Sequence, residues 1–327
     1  MILPGADPQA IAQAAQVIQA GGLVGFPTET VYGLGADASS DEAVAGIFAA
    51  KGRPADHPLI VHVADASQIA DYAGKLPAYA EKLVKAFWPG PLTVILPRRP
   101  DVAAAAAGGQ DSIGLRCPAH PVALAFLKAC RTGVAGPSAN RFGRVSPTTA
   151  QHVIDEMGAD LLVLDGGPCE VGIESSIVDC TRSRPVLLRP GVLTRAQLEA
   201  ACGQPVLDQD DALVAGTAPR ASGTLESHYA PNAKVRLMDA KAIQTALDLL
   251  GTDAVNIAVY ARTIVRIKSE KLLYRRMPDD ALATAQQLFA VLRTFDDRGV
   301  KLIWIESPPA TPEWDGVRDR LGRAAAT

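Results

Sequence analysis

The chain has 327 residues, 48% of them hydrophobic and 20% charged, with a formal net charge of −3. That length suggests two domains, and that composition suggests a soluble globular protein with an apolar core. The small negative charge creates no field that would draw in nucleic acid or an anionic membrane, and no run of 18 apolar residues offers a membrane span.

The first fifty residues contain no Lys or Arg, which argues against a secretory n-region or an Arg-rich transit peptide and points to the cytoplasm. Five cysteines (117, 130, 169, 180 and 202) form no C-x-x-C pair. An odd number in a large chain implies reduced, mostly buried thiols, with Cys180 a core residue rather than a nucleophile. Zinc spacing, a Walker A loop, a G-x-G-x-x-G fingerprint and H-E-x-x-H are absent, so no protein-held metal is expected.

Up to about residue 207, helical patterns alternate with short apolar strand candidates, which argues an α/β domain. Helices are expected over 10–20, 41–51, 78–87, 121–130 and 148–157. Strands are expected over 59–63, 92–96, 113–116, 161–164 and 177–180. The helix over 41–51 is the best marked: Ser40 can cap it, Asp41 and Glu42 suit its first turn, and Val44, Ile47 and Phe48 share a face. Residues 208–232 are polar and rich in Asp, Pro, Ser and Gly, and read as a linker. Beyond them, strands over 234–237, 256–260 and 302–306 alternate with helices over 240–250, 279–298 and 313–325, as in a small parallel α/β domain. The expected division is 1–207, 208–232 and 233–327.

Five segments carry chemistry. Residues 26–37, Phe-Pro-Thr-Glu-Thr-Val-Tyr-Gly-Leu-Gly-Ala-Asp, follow an apolar run and show neither helical nor strand periodicity. So many hydroxyls in one buried turn must be satisfied by backbone or by a ligand. Lys51-Gly52-Arg53-Pro54 ends a helix; its cations either satisfy the helix dipole or project into a cleft. Alternation over 112–116 sets Ser112, Gly114 and Arg116 on one strand face, where an arginine offers a planar fork to carboxylate or phosphate. Pro137-Ser138-Ala-Asn140 with Ser146-Pro-Thr148 follows a strand end at Val134-Ala135, and Thr148 could cap the next helix. Last come Gly172-Ile-Glu174-Ser-Ser-Ile-Val-Asp179 and Leu188-Arg189-Pro190-Gly191.

In this order and spacing, these motifs and the later His228-Tyr229-Ala-Pro231 resemble the YrdC-like threonylcarbamoyl-AMP synthase family in its long, two-domain form. The resemblance covers essentially the whole chain. It implies a twisted open α/β sheet with a deep cationic cavity, joined to a smaller Rossmann-like α/β domain. It implies an enzyme that joins L-threonine, bicarbonate and ATP into threonylcarbamoyl-AMP with release of pyrophosphate. Mg²⁺ would accompany the ATP phosphates, and separate proteins would pass the threonylcarbamoyl group to tRNA.

Residue by residue, the resemblance puts Thr30, His62, Arg116, Ser138 and Ser175 around threonine. It puts Arg53, His57, Ser112, Asn140, Thr148, Arg189 and Tyr229 around ATP, with Ser146 an alternative to Thr148. Lys51 and Arg53 are the catalytic cations. His57 stands where asparagine is more usual, and Ser176 replaces a common threonine. The linker is expected to fold back over the cavity as a lid.

Two other readings share parts of this pattern. A carbamoyl-AMP-forming enzyme has a similar domain but carries C-x-x-C motifs, which are absent here. An RNA-binding module would use the basic run 262–276, which also reads as a solvated face; on that basis a weak tRNA contact is expected.

Overall fold

Local signals account for most element boundaries in the first part of the computed structural model, which describes residues 1–209, 211, 219–223 and 228–326. In chain order the elements are β1 (Ile2–Pro4), α1 (Pro8–Gln19), β2 (Val24–Phe26), β3 (Gly33–Asp37), α2 (Asp41–Lys51), β4 (Ile60–His62), α3 (Ile69–Tyr72), α4 (Ala78–Phe87), β5 (Leu92–Pro97), β6 (Ser112–Arg116), α5 (Pro121–Cys130), β7 (Val134–Ala135), α6 (Ala150–Met157), β8 (Leu162–Asp165), β9 (Ser176–Asp179), β10 (Val186–Arg189) and α7 (Arg195–Cys202). Asp7 caps α1, with Pro8 supplying a pre-set φ at the first helical position. Ser40 accepts from the Ala43 amide at 3.1 Å, and α2 ends at Gly52 in the left-handed region (φ 61°).

The ten strands form one mixed sheet in the order β1-β8-β2-β3-β7-β4-β6-β5-β9-β10. Helices cover both faces. Ala14 and Ile18 of α1 and Phe126 of α5 pack on Val24, Phe26 and Leu164. Val44 and Ile47 of α2, Leu83 of α4 and Leu198 of α7 pack against Leu34, Val61, Val94 and Leu115. All five cysteines are free and buried, and burial pushes the Cys180 thiol well up, as a core residue requires.

Contacts divide the chain into two units. The first is Met1–Phe142 with Ser146–Thr224, and the second is Leu225–Thr327 with Gly143–Val145. The second contains β11 (Lys234–Met238), α8 (Ala240–Leu250), β12 (Ile257–Ala261), β13 (Leu273–Arg276), α9 (Ala281–Asp297), β14 (Leu302–Glu306) and α10 (Asp315–Ala325). Its four strands pair in parallel in the order β11-β14-β12-β13. Ile257, Val259 and Ala261 face Ile243 and Leu247 of α8. Alternation turns Ala258 and Tyr260 to the opposite face.

Several elements go beyond the sequence reading. β3 is Gly-Leu-Gly-Ala-Asp, with too few side chains to display alternation. β13 is Leu-Tyr-Arg-Arg and is masked by its charge. β1, β10 and the short helices α3 and α7 were likewise not expected, although Thr194 and Gln197 form a capping box on α7. Thr148 does not cap α6. Its neighbour Thr149 does, accepting from the His152 amide at 3.3 Å.

Candidate active site

Three loops of the first unit interlace through their backbones at the ends of β2, β7 and β9. The amides of Val171 and Gly172 donate to the carbonyls of Glu29 (2.7 Å) and Thr30 (3.1 Å). Tyr32 N donates to Pro147 O, Ala139 N to Tyr32 O, and Cys169 N to Thr148 O. The hydroxyls of the 26–37 segment are satisfied in the same way. The Thr28 hydroxyl donates to Val31 O at 2.6 Å and lies 2.9 Å from the Thr30 hydroxyl. A ligand is therefore not needed to hold this turn, and the frame stands preformed.

Into that frame β4 and β6 deliver His62 and Arg116, which sit opposite each other in register. Arg116 is buried and densely tied. Its guanidinium donates to Glu29 Oε1 at 2.6 Å, to Thr30 Oγ1 at 2.8 Å and, through Nε, to Gly90 O at 3.3 Å. The second Glu29 oxygen accepts from the Ala119 amide at 3.1 Å. The open fork expected of Arg116 is thus closed on one side by Glu29, and only its remaining N–H groups are available to a further anion. Glu29 is a site residue that the sequence reading passed over, although it lies inside the most conspicuous motif.

His62 is 3% exposed and packs edge-on against Phe26. Its Nδ1 has no hydrogen-bond partner among the described residues. A Cβ on Gly136 would lie 3.0 Å from that nitrogen and 2.9 Å from the Phe26 ring, so glycine keeps this wall open. Burial, and secondarily the Arg116 charge, push the His62 imidazole down from 6.5 to about 3. Between those values the unfolded chain holds a proton at this residue and the folded chain does not. This contribution to stability is therefore complete above pH 6.5 and is lost as the pH falls toward 3. At most it amounts to about 1.4 kcal/mol per pH unit. On moving from about pH 7 to about pH 5, the urea-unfolding free energy should drop by about 2 kcal/mol more for the wild type than for His62→Asn. Equal drops would show that His62 is protonated within the fold.

The cations gather nearby. Lys51, 3% exposed, donates from Nζ to Ser138 O at 2.6 Å and also to Asn140 O. Burial and the neighbouring Arg53 lower its pKa well below the usual lysine value. The ammonium holds the turn that presents Ser138 and Asn140, which is more than a helix-terminal charge does. Arg53 donates to Pro58 O at 2.9 Å and to Ser222 Oγ at 3.4 Å, and lies 5.6 Å from the Phe142 ring. His57 packs edge-on against that ring, and burial lowers its pKa.

Arg189 reaches Ser175 O through two nitrogens, at 3.1 and 2.9 Å, and Ser222 O at 2.8 Å. Ser175 Oγ pairs with Thr93 Oγ1 at 2.8 Å, so Thr93 is a further site residue that the sequence did not single out. Thr148 is buried, with its hydroxyl 3.4 Å from His152 Nδ1. Ser146, its alternative, donates to Glu174.

Residues 219–223 of the expected linker lie on this unit. The amide and carbonyl of Arg220 pair with the Gln110 side chain at 2.7 and 3.2 Å, and its guanidinium meets Asp56 at 2.8 Å. Arg220 and Ser222 line a pocket with Ser112, Thr93 and Ile177. Tyr229 belongs to the second unit. It is 1% exposed within the second unit, stacked on Phe289 at 5.5 Å and under Arg320 at 5.2 Å. Residues 210, 212–218 and 224–227 of the expected linker lie outside the described residues.

Comparison with known proteins fits this arrangement. The family profile described as "Telomere recombination" (Sua5_yciO_yrdC) matches residues 16–191. The profile described as "Threonylcarbamoyl-AMP synthase, C-terminal domain" matches residues 193–326. The chain belongs to the threonylcarbamoyl-AMP synthase family. The threonylcarbamoyl-AMP synthase of Bacillus subtilis (strain 168) is 39% identical over 98% of this chain and 93% of its own length. That of Pyrococcus abyssi is 37% identical over 95% and 93%. The solved structure of P. abyssi Sua5 complexed with L-threonine has a TM-score of 0.87 at 36% identity, covering 98% of this chain and 95% of that one. As a member of this family, the chain is an adenylyl-transferring enzyme. No helix among the described residues is long and apolar enough to cross a membrane.

Proposed function

We infer that the protein condenses L-threonine, bicarbonate and ATP into L-threonylcarbamoyl-AMP, releasing pyrophosphate, for threonylcarbamoyladenosine synthesis in tRNA. The observation that carries this reading is the similarity to threonylcarbamoyl-AMP synthases along nearly the whole chain. The buried cations Lys51, Arg53, Arg116 and Arg189 support it in detail. Bicarbonate as co-substrate, dedicated transfer proteins that take up the product, and action in the cytoplasm belong to the same proposal.

Threonine first loses an ammonium proton, and its nitrogen attacks the bicarbonate carbon. Water departs and a carbamate remains. A carbamate oxygen then attacks the α-phosphorus in line, and the bond to the β-phosphate oxygen breaks. Both reactants are anions, so a site without fixed positive charge would repel them. Catalysis rests on positioning and electrostatic stabilisation, with no protein nucleophile.

In this assignment Arg116, Thr30, Ser138 and Ser175 hold threonine. Neutral His62 accepts a hydrogen bond from it. Arg53, Arg189, Asn140, Ser112, His57 and Thr148 serve ATP, and Lys51 fixes the Ser138–Asn140 turn against the phosphates. Ser222 engages Arg53 and Arg189 in this structure, so ATP must compete with the linker for both. That is how a lid over the site would work. Tyr229 joins the ATP set only through the resemblance. Mg²⁺ would arrive on the ATP phosphates. Among the described residues no group of three His, Cys, Asp or Glu is placed to hold a metal, and we assign the ion no protein ligand.

Pyrophosphate release should require threonine and bicarbonate together. Serine lacks the methyl group, worth about 1–3 kcal/mol in a fitted pocket, and should be used roughly 10- to 200-fold less efficiently. Release of ADP and phosphate, or turnover indifferent to threonine, would rule the assignment out.

A further inference from the structure

We propose that the second unit carries a nucleotide-phosphate site of its own, between the edge strand β13 and the C-terminal half of α9. A pocket lies there with Leu273, Val291 and Phe295 as its apolar floor and Arg275 and Arg298 on its walls. Gln287 and Thr294 of α9 add polar groups to its lining. No acidic residue lines it, in a chain whose net charge is −3.

The state of the two arginines sets them apart. In the basic run around β13, Arg262 pairs with Glu306 at 2.9 Å, Arg266 and Lys268 pair with Asp248 at 3.5 and 3.8 Å, and Arg276 pairs with Asp279 at 3.1 Å. That run is therefore only partly offset: four of its six cations are paired, and two of those share Asp248. Arg275 and Arg298 are different: among the described residues neither side chain makes an ion pair or a hydrogen bond.

Arg275 stands beside a buried tyrosine. Tyr260 on β12 is its register partner, on the sheet face turned away from α8. Tyr260 is 0% exposed, and its hydroxyl has no partner among the described residues. Tyr260 does not line the pocket itself, so it bears on the site only through the placement of Arg275.

Simpler accounts exist for each arginine. Arg298 sits at the C-terminus of α9, where a cation suits the helix dipole. Arg275 on an edge strand discourages pairing with another chain. Neither account explains an acid-free apolar pocket between two unpaired guanidinium groups. Guanidinium forks match phosphate, and an apolar floor that carries the Phe295 ring takes a flat base. The ligand class is a nucleotide, either free or as one residue of an RNA strand.

The test uses the full-length protein and an Arg275→Gln/Arg298→Gln variant, whose substitutions lie outside the proposed catalytic machinery. Two probes are compared: AMP by equilibrium dialysis, and a tRNA transcript by filter binding over a range of salt. If the site takes free nucleotide, AMP should bind at two sites in the wild type and at one in the variant, with pyrophosphate release unchanged. If it takes a nucleotide within RNA, AMP stoichiometry should be equal in the two proteins. The variant should then bind tRNA roughly ten- to a hundredfold more weakly, with a salt slope smaller by about 1–2. Equal AMP stoichiometry together with equal tRNA affinity would overturn the proposal.

Discussion

Lys51→Ala is expected to lower the rate of pyrophosphate release by roughly 10²–10³, the usual loss when one transition-state electrostatic contact is removed. The structure gives that loss two sources. The α-phosphate gathers negative charge as the carbamate oxygen attacks, and a cation held in a water-poor site acts more strongly there than in bulk. The same ammonium also bridges the carbonyls of Ser138 and Asn140. Without it, those carbonyls lose a charged donor and the turn that presents both residues relaxes. Lys51→Arg should recover little, because a planar fork does not replace a point charge at two converging carbonyls. Rate constants from single-turnover pyrophosphate assays, with KM for ATP measured alongside, check this. A Lys51→Ala enzyme within a fewfold of wild type would leave Lys51 as a clamp on the Ser138–Asn140 turn with no part in the rate.

The sequence carried α2 and its ends fully, because the capping serine, the acidic first turn and the left-handed glycine are local chemistry. It carried the gathering of loops only as a resemblance. Nothing within 26–37 says that Glu29 closes on Arg116, a partner 87 residues away. Such a contact is fixed by sheet order, and the pairing of β4 with β6 beside an antiparallel β7 has no local signature. Thr148 and Thr149 illustrate a smaller limit. Either threonine can cap, and the choice fell to the register of the helix. Tyr229 packs against Phe289, a contact that no local pattern around it announces. β13 was hidden because its exposed arginines break the apolar pattern, yet it forms the edge of the second sheet.

Arg116→Ala is expected to act on stability and on substrate together, and the two effects can be separated. Arg116 and Glu29 are 4% and 7% exposed and 2.6 Å apart. Removing one partner of a buried pair leaves an uncompensated charge, which costs about 3–5 kcal/mol. For a unit of this size that corresponds to a fall in Tm of about 6–20 °C. The Thr30 hydroxyl and the Gly90 carbonyl lose donors as well. If the remaining N–H groups meet the threonine carboxylate, KM for threonine should also rise roughly 10- to 100-fold, the worth of a hydrogen bond to a charged group. A second variant, Glu29→Gln/Arg116→Met, has no stranded charge and should regain much of the lost Tm. It should not regain threonine affinity, because the cation is still missing. If affinity returned along with Tm, Arg116 would be a strut of the fold, and the carboxylate of threonine would have to be met by another of the buried cations.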